Sequence, residues 1–531
     1  MGNGFYGKVL EINLGTREEK ETKISAENYR QYLGGSGLAA KIFAEREYYR
    51  IVPLSPEAPL LIFSGIMTGY NVPTACKAMF CGRSPATGIW AEAAVGGRWP
   101  AAFKSSGYDG LIITGKAEKP TYLFLDGKGV EFKDAEKLWG KDVYETQDII
   151  QQELGDKVRV AAIGPAGENQ VLISSIIIDG HDARAAGRCG LGALMGSKNL
   201  KAVAAVRTKN LPPLADAAAL AKSRKAVIPK IREKAKGLTD FGTAGGVPVV
   251  EKLGDLPIKN WSKGSWPEGA AKISGQYMAE TVFVKHYACF NCPIRCGKDV
   301  KVTVGPYQGT VAHGPEYETL AGFGSMCLND NVYYIIAAND LCNRLGLDTI
   351  STSSVISFAM ELFENNLLED ELLQGLDLSW GNGEAILALI QQIARKEKLG
   401  RYLGQGVKRA AAYFGPLAKE FAVESKGLEF AYHDPRAFTS MALVYATGAR
   451  GACHLEGLSY FNENLSYPAS LIGLEDEYDP HSSEGKPLLA KTMQDFMVIF
   501  NALGICKFLI RGHVVPEEIA DWLSSITGWD I

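Results

Sequence analysis

The tripeptide Leu211-Pro212-Pro213 marks the point at which this chain of 531 residues changes character. Two consecutive prolines continue neither a helix nor a central strand, so they predict a domain boundary. Before it, short apolar runs separated by turn residues predict strands, four of which occupy residues 60–63, 111–114, 122–125 and 171–174. After it, longer segments of helical period predict helices, among them residues 333–345, 351–364, 384–396 and 493–503.

This change predicts an α+β fold of three domains, a number that also suits the length of the chain. We assign residues 1–210 to a β-rich domain and residues 211–417 to a mainly helical domain. Residues 418–531 form a second helical domain, which starts after the helix that ends at Gly415-Pro416. The sequence holds no low-complexity tract and no array of short repeats.

Composition excludes several classes of protein. Hydrophobic residues make up 46% and charged residues 22% of the chain, values typical of folded globular proteins and not of disordered ones. The 56 basic and 60 acidic residues leave a net charge of -4. That balance provides no broad cationic surface for nucleic acid or for an anionic membrane, so we expect neither as a partner.

The chain shows no sign of export or membrane insertion. Its first residues contain no apolar core of signal-peptide length, and nowhere do 18 uncharged apolar residues follow one another. Its ten cysteines are too few for a secreted disulfide scaffold, and several of them cluster at short spacing. We therefore expect a cytoplasmic protein whose cysteines bind metal in a reducing compartment.

The clearest cysteine cluster is the sequence CFNCPIRC at residues 289–296. Cys289, Cys292 and Cys296 place three thiolates within eight residues, enough to surround one soft metal centre that takes a fourth ligand from elsewhere. We favour an iron–sulfur cluster with Cys506 as the fourth ligand. Structural zinc and unliganded buried cysteines are the alternatives, although zinc sites more often pair two C-x2-C halves.

Two similar hexapeptides end two predicted amphipathic helices. They are NRLGLD at residues 343–348 and NALGIC at residues 501–506, and we call them the first and second echo motifs. Glycine after the last helical turn supplies the left-handed conformation that closes a helix. The motifs are either two ordinary helix ends or two equivalent ends that grip the two halves of one ligand.

Two glycine-rich stretches contain cationic side chains that suit an anion. Residues 184–199 include Arg184, Arg188 and Gly190, and residues 94–99 include Gly96 and Gly97, with Lys77 a short distance upstream. Glycine lets backbone N–H groups approach an anion, and arginine binds phosphate oxygens in bidentate fashion. Neither stretch matches a Walker A loop or a dinucleotide fingerprint, so tight turns in a β domain are the alternative interpretation.

Glu318 and His454 are the candidate catalytic residues. Glu318 follows the cysteine run closely enough to serve as a general base at a metal centre, although a helix dipole also favours an acidic residue at a helix start. His454 lies in a context of small residues and belongs to the side-chain type that titrates near neutral pH. A structural role is the alternative for His454.

Taken together, these motifs resemble the aldehyde ferredoxin oxidoreductase family along essentially the whole chain. Further carriers of the resemblance are residues 7–14, YLGGSGL at 32–38, SGYD at 106–109, IGPAGEN at 163–169 and GPEYE at 314–318. The resemblance implies a tungsten or molybdenum bis-pyranopterin cofactor and a [4Fe–4S] cluster. It also implies a double-sheet N-terminal domain that forms the base for the cofactor, with two helical domains covering it.

The resemblance assigns roles to the candidate residues. Cys289, Cys292, Cys296 and Cys506 fall at the cluster positions, and Glu318 and His454 fall beside the pterin-bound metal. The residues at pterin or phosphate positions, where magnesium is also expected, are Lys77, Gly96, Gly97, Arg184, Arg188, Gly190, Asn343, Leu347, Asp348, Asn501 and Ile505.

The chain also departs from the family pattern. Asn343 and Asn501 replace aspartate, Lys77 replaces a phosphate-binding arginine, and Ala94 replaces asparagine. Lysine exchanges bidentate contact for a point charge. Residues 337–340 lack the Glu-x-x-His pair that binds a dimer-bridging iron in some members, so we expect no such iron in any homo- or hetero-oligomer. The chain stops before the C-terminal helices of longer members, which leaves a helical surface for a partner subunit.

The activity that the resemblance implies is oxidation of an aldehyde to a carboxylic acid. Electrons are expected to pass through the cluster to ferredoxin or to a partner iron–sulfur subunit. A low-potential reductase of the family branch that acts on aromatic acyl-thioesters is the alternative within the same fold. An inactive relative kept as a cofactor-binding or scaffold subunit is the alternative from another class.

Overall fold

The computed structural model describes residues 3–531, and it confirms the α+β class. Six strands of the N-terminal region form the first sheet, in the order β2-β1-β6-β3-β4-β5. Their bounds are β1 (Lys8–Asn13), β2 (Glu18–Lys23), β3 (Leu60–Ser64), β4 (Ala78–Arg83), β5 (Trp90–Val95) and β6 (Gly110–Thr114). All pairs are antiparallel except β1 with β6.

The next six strands form a second sheet with the same topology, in the order β8-β7-β12-β9-β10-β11. Their bounds are β7 (Thr121–Leu125), β8 (Val130–Asp134), β9 (Val158–Ala162), β10 (Ile176–Ile178), β11 (Arg184–Ala186) and β12 (Leu200–Val206). The one parallel pair is again between the first and sixth strands of the unit, β7 and β12. The β-rich region therefore consists of two units with the same fold.

Six helices accompany these strands, two of them in equivalent places. Their bounds are α1 (Ala26–Tyr32), α2 (Gly35–Glu45), α3 (Trp99–Lys104), α4 (Val143–Leu154), α5 (Pro165–Glu168) and α6 (Leu191–Ser197). Helix α3 of the first unit packs on β9 and β12 of the second, and α6 of the second unit packs on β3 and β4 of the first. The buried Trp99 of α3 links the two units, because its Nε1–H donates to the carbonyl of Val203 in β12 at 2.8 Å.

The rest of the chain is mainly helical. Its helices are α7 (Ala217–Lys234), α8 (Lys236–Phe241), α9 (Val247–Lys252), α10 (Pro267–Lys272), α11 (Gly275–Thr281), α12 (Tyr317–Phe323), α13 (Val332–Leu345), α14 (Thr349–Glu364), α15 (Asp370–Leu373), α16 (Gly383–Arg395), α17 (Gly400–Leu403), α18 (Val407–Phe414), α19 (Pro416–Lys419), α20 (Ser440–Thr447), α21 (Tyr460–Glu463), α22 (Lys486–Leu503) and α23 (Pro516–Thr527). Two small sheets interrupt them, one of β13 (Phe283–Tyr287), β14 (Gly297–Lys301) and β15 (Val311–His313), the other of β16 (Glu424–Ser425) and β17 (Leu428–Glu429). Within the described part of the chain, no helix combines the length and the apolar character needed to cross a membrane.

The helices pack into two apolar cores. One core joins α9 and α12–α18, and the other joins α20–α23 with α2 and one face of the first sheet. Helix α7 belongs to the second of these cores, because Leu220 and Ile231 are buried there and Ser223 accepts a hydrogen bond from Trp522 of α23. The division at residues 210 and 417 stays a prediction, and this contact shows that the start of the helical region packs with its end.

Sequence periodicity located the helices well and one strand badly. The four predicted helices appear as α13, α14, α16 and α22, although α22 begins seven residues before residue 493, at Lys486 behind Gly485. The strand predicted at 171–174 is wrong. This segment is a turn in which the N–H of Ser174 donates to the carbonyl of Val171, and its buried apolar side chains pack into the helical core. An apolar run reports burial and not the partner that buries it.

Candidate functional site

A cavity of about 660 Å³ lies where both sheets and both helical cores meet. Most of the residues singled out from the sequence line it. They are Lys77, Gly96, Arg184, Arg188, Glu318, Asn343, Leu347, Asp348, His454, Asn501, Ile505 and Cys506. A volume of this size is typical of a site for a cofactor or substrate.

The two echo motifs end their helices in the same way. Gly346 and Gly504 have φ angles of 73° and 78°, in the left-handed region that favours glycine. The N–H of Leu347 donates to the carbonyl of Cys342 at 2.9 Å, and the N–H of Ile505 donates to that of Phe500 at 3.1 Å. Both helices therefore end in the same motif, and both ends face the cavity.

Each echo motif rests on an equivalent glycine of the β-rich region. Gly65 follows β3, Gly164 follows β9, and these strands hold the same place in the two sheets. A Cβ at Gly65 would lie 2.0 Å from the carbonyl carbon of Leu503, and one at Gly164 would lie 2.4 Å from that of Leu345. Backbone contacts this close need glycine, so the pseudo-symmetry of the sheets sets the relation between the two helix ends.

The polar side chains of the two motifs differ. Asp348 accepts hydrogen bonds from the N–H groups of Ile350 and Ser351 and thereby caps α14. The equivalent position of the second motif holds Cys506, which caps no helix through its side chain, and Asn501 at the start of that motif donates to Glu92, with Nδ2 and Oε1 2.7 Å apart. The scaffold is equivalent in the two halves, while the chemistry presented to the cavity is not.

The partly buried Arg184 and the buried Arg188 face the cavity with N–H groups that make no hydrogen bond. Nη1 of Arg184 lies 2.9 Å from Oε1 of Glu316, but its Nε and Nη2 have no partner. Arg188 donates to the carbonyls of Ala452 and Glu429, and its Nε, which makes no hydrogen bond, lies 3.6 Å from a carboxylate oxygen of Asp348. Buried cations with free N–H groups are costly unless an anion satisfies them, so this wall fits a phosphate-bearing ligand.

The four candidate cluster cysteines lie together beside this wall. The loop at Thr74 joins them, since its N–H donates to the carbonyl of Asn291 while the N–H of Cys506 donates to its own carbonyl. A hydrogen bond from the thiol of Cys76 is the main cause that lowers the pKa of Cys289 well below its usual range. The cations of Arg184 and Lys77 act in the same direction, while burial opposes them. Such a thiolate is the form that binds iron.

Glu318 and His454 meet at one side of the cavity. The N–H of Tyr432 donates to Oε2 of Glu318 at 2.8 Å, while Oε1 has no hydrogen-bond partner and lies 3.4 Å from Nδ1 of His454. Burial lowers the pKa of His454 to about 3, so this imidazole is neutral at physiological pH. One carboxylate oxygen of Glu318 is thus fixed by the backbone, and the other faces a neutral imidazole.

A second histidine, which sequence reasoning missed, approaches Glu318 from the other side. Nε2 of His433 lies 3.8 Å from Oε1 of Glu318, and its Nδ1 lies 2.7 Å from the buried carboxylate of Asp255. The rings of Tyr317 and Tyr460 stack on the two sides of the imidazole. Burial disfavours the charged form of His433, but attraction and hydrogen bonding from Asp255 outweigh it and raise its pKa. No local motif marks this dyad, because 178 residues separate its members.

Glu316 was also missed as a site residue, although it stands in the motif that led to Glu318. Its carboxylate lies against Arg184 and accepts a hydrogen bond from Thr243 at 2.6 Å. His313 and Arg184 lower the pKa of Glu316 despite its burial, so it lines the cavity as an anion paired with Arg184. In the sequence, the only feature that pointed to Glu316 was its position two residues before Glu318.

Two glycines predicted to bind the cofactor lie outside the cavity wall. Gly190 begins α6 with a φ of 73°, and a Cβ there would lie 2.2 Å from the carbonyl oxygen of Leu172. Gly97 has a φ of 106°, and a Cβ there would lie 2.3 Å from a carboxylate oxygen of Asp179. Backbone conformation and close packing account for both glycines without a ligand. Cys289, Cys292 and Cys296 also lie behind the wall and not on it.

Family models match both parts of the chain. The model described as "Aldehyde ferredoxin oxidoreductase, N-terminal domain" matches residues 9–207. The model described as "Aldehyde ferredoxin oxidoreductase, domains 2 & 3" matches residues 219–531.

Relatives of known name cover nearly the whole chain. A tungsten-containing aldehyde ferredoxin oxidoreductase from Pyrococcus furiosus is 37% identical over 99% of this chain and 85% of its own length. A protein of the same name from Thermococcus kodakarensis is 36% identical with the same coverage of both chains. The WOR-like subunit of an aliphatic sulfonate oxidoreductase from Pyrococcus furiosus is 30% identical over 99% of this chain and 82% of its own.

A solved structure has the same fold. It is the active-site complex BamBC of benzoyl coenzyme A reductase with 1,5-dienoyl-CoA, at a TM-score of 0.86 and 24% identity. The match covers 100% of this chain and 86% of that one. At this identity the likeness shows the architecture alone.

Proposed function

This chain is a member of the aldehyde ferredoxin oxidoreductase family, a family of tungsten oxidoreductases, and from that membership we propose that it oxidises aldehydes to carboxylic acids. Cys289, Cys292, Cys296 and Cys506 would hold a [4Fe–4S] cluster, which would supply the electron transfer to ferredoxin or to a partner iron–sulfur subunit. The single observation that carries this proposal is the Glu318–His454 pair, which faces the cavity between the two echo motifs.

The cavity suits a bis-pyranopterin with tungsten or molybdenum. Each echo motif holds one pterin, through Asn343, Leu347 and Asp348 on one side and through Asn501 and Ile505 on the other. The unused donors of Arg184 and Arg188, with Lys77 and the backbone at Gly96, bind the phosphates and the associated Mg²⁺. When bound, the metal–pterin group and the cluster supply the redox chemistry, which no side chain provides.

The protein residues handle the water, the proton and the developing charge. In the overall reaction the oxygen of water joins the carbonyl carbon of the aldehyde, the aldehydic C–H bond breaks, and two protons and two electrons leave. Oε1 of Glu318 takes a proton from water or from the hydrated aldehyde, since this oxygen carries no hydrogen bond that would compete.

The two histidines act differently because their surroundings shift their pKa values in opposite directions. His454 is neutral, so its ring N–H donates to the oxygen on which negative charge develops. His433 is held by Asp255 and stacked between Tyr317 and Tyr460, so it keeps a fixed distance from Glu318. We assign His433 and Asp255 as positioning residues.

The proposal is tested by anaerobic purification from a host supplied with tungstate or molybdate, followed by metal analysis and an aldehyde panel with a viologen dye as acceptor. We expect about one tungsten or molybdenum and about four iron atoms per chain, together with dye reduction by aldehydes. A preparation that contained zinc but no tungsten, molybdenum or iron would contradict the proposal and would favour the alternative of an inactive scaffold subunit.

The same preparation separates oxidation from the reductase alternative. Reduction of an aromatic acyl-CoA thioester by low-potential donors, with no oxidation of any aldehyde in the panel, would favour the reductase. The presence of both Glu318 and His454 supports aldehyde oxidation. Assembly with an iron–sulfur subunit, if present, is tested by co-purification from the native host.

A further inference from the structure

A basic groove lies on the outer side of the cysteine run, away from the cavity. The tips of Cys289, Cys292 and Phe290 form its floor. Six cationic residues line its walls, namely Arg98, Lys157, Arg159, Arg207, Arg224 and Arg232, and no aspartate or glutamate lines it. We call this set the basic groove.

Within residues 3–531, the cations of the basic groove form no ion pairs or side-chain hydrogen bonds, although Arg98 and Arg159 lie within charge range of Asp182 and Asp179, respectively. Among the described residues, none of the six has a carboxylate within ion-pairing distance, and none donates a side-chain hydrogen bond. By contrast Lys230, on the same helix as Arg224 and Arg232, lies 2.6 Å from Glu518. All six are exposed or half-exposed, so their charge faces solvent.

Helix α7 concentrates this charge. It carries six basic residues and one acidic residue, in a chain whose overall net charge is -4. Arg224, Ile228 and Arg232 are spaced by four residues and therefore share one face of the helix, the face that lines the groove. The other four cations lie near three strand ends of the β-rich region: Arg98 after β5, Lys157 and Arg159 at the start of β9, and Arg207 after β12. Four separate segments of the chain therefore form one basic surface.

The cluster cysteines separate the basic groove from the cavity. Cys289 and Cys292 line the groove, whereas Cys506 lines the cavity. The two compartments are close, because a Cβ at Gly96 in the cavity wall would lie 3.3 Å from the sulfur of Cys289. Arg207 covers the floor with its guanidinium 4.2 Å from the ring centre of Phe290. An electron that reaches these cysteines is therefore next to the groove.

We propose that the basic groove docks an acidic iron–sulfur protein that accepts the electrons of the reaction. This proposal rests on the proposed function and adds to it where the acceptor binds and what charge it carries. With a [4Fe–4S] cluster held by the four cysteines, each encounter would pass one electron to the oxidised cluster of the acceptor. Two encounters take up the two electrons of one aldehyde. Opposite charge speeds encounter and fixes orientation, and salt weakens both effects.

The test measures binding directly. The probe is a purified acidic bacterial ferredoxin with two [4Fe–4S] clusters, titrated by calorimetry against the purified holoenzyme. We expect the Kd to rise steeply with added NaCl, since about 0.1 M salt reduces the range of charge interactions to about 10 Å. In Arg224→Glu/Arg232→Glu we expect the Kd at low salt to rise by about tenfold or more.

A matched control lies on the same helix. Lys222 and Lys225 are exposed on α7 but do not line the groove, so Lys222→Glu/Lys225→Glu changes the net charge equally. We expect this control to change the Kd by less than about threefold. Equal weakening by both double variants would mean that net charge alone attracts the ferredoxin, and it would overturn the proposal. So would equal affinity for α-lactalbumin, an acidic protein without a redox centre.

Activity separates the two proposals. Neither double variant touches the cavity, so dye-linked aldehyde oxidation should equal that of the parent protein, while the KM for ferredoxin rises only in the groove variant. If the parent protein oxidised no aldehyde, the proposed function would fail, and the binding comparison would still decide whether the groove docks a ferredoxin.

Discussion

Oε1 of Glu318 lies 3.4 Å from Nδ1 of His454, and the other oxygen of the same carboxylate accepts a hydrogen bond from the N–H of Tyr432. Glu318 stands in the first turn of α12, whereas His454 follows α20 in the other helical core. The carboxylate is fixed at one oxygen and free at the other, which is the arrangement that a general base needs.

We therefore expect Glu318→Gln to lower kcat for dye-linked aldehyde oxidation by about 10²- to 10⁴-fold, because the amide accepts no proton at this position. Tungsten and iron contents should stay at the level of the parent protein, as measured by mass spectrometry of the metals. A suitable control is Glu361→Gln, which alters a half-buried carboxylate outside the cavity and should keep full activity. Full activity of Glu318→Gln with intact metal content would refute the role of Glu318.

The His433–Asp255 pair makes a prediction about pH and stability. Because the folded-state pKa of His433 is raised above its unfolded value, its ionisation stabilises the fold fully below about pH 6.5. This contribution is lost as the pH rises through the raised pKa. In Asp255→Asn the buried imidazole loses its counter-ion and its pKa falls, so the Tm deficit of the variant should be larger at pH 5.5 than at pH 8.5.

Two further measurements identify His433 as the titrating group. In a His433→Gln background, Asp255→Asn should show the same Tm deficit at both pH values. The kcat/KM profile should respond as well: if catalysis uses protonated His433, its alkaline limb moves to lower pH in Asp255→Asn. An unchanged profile together with a pH-independent Tm deficit would leave Asp255 only a packing role.

The cluster assignment predicts a loss of iron. We expect Cys506→Ser to retain far less than the about four iron atoms of the parent protein and to lose most of its absorbance near 400 nm. Cys327→Ser serves as the control, since Cys327 lies in the other helical core, outside the cysteine run, and its sulfur lies 3.4 Å from the carbonyl of Gly322, which can also accept a hydrogen bond from a hydroxyl. Equal iron contents in the two variants would remove Cys506 from the ligand set.

Because the two sheets support the echo motifs in the same way, we expect substitutions of Gly65 and Gly164 to have the same effect. Gly65→Ala and Gly164→Ala each place a methyl group against the backbone of an echo motif, where no rotamer change relieves the clash. We expect each to destabilise the protein by about 1–3 kcal/mol or more, seen as a lower Tm, and to reduce cofactor content. Gly129→Ala, at a glycine with nothing within 4 Å of its Cβ position, should leave the Tm unchanged.

Helices and helix ends were predictable because their causes are local. The 3.6-residue period predicts α13 and α14 to within two residues of their observed bounds, and the glycine after the last turn marks the end of α13. The same reasoning identified both echo motifs, although it left open whether they were more than ordinary helix ends. Their identical hydrogen bonds and their matching glycines in the two sheets support the second interpretation.

The wrong strand prediction at residues 171–174 and the undetected repeat of the two six-stranded units have causes that are not local. The run at 171–174 is apolar because it is buried, and nothing within it tells a sheet from a helical core. The two six-stranded units share topology without a sequence repeat that we detected, since pairing order depends on backbone connections and not on particular side chains. The equivalence of the two sheets that support the echo motifs was therefore not visible along the chain.

By itself the sequence determined the α+β class, the positions of four helices, the three clustered cysteines and the two echo motifs, because each depends on residues within a few turns of one another. Only the tertiary structure brought Asp255 to His433, placed Glu318 between two histidines and gathered cations from four segments into the basic groove. Contacts of this kind depend on how distant elements pack, and packing is set by shape and burial over the whole fold.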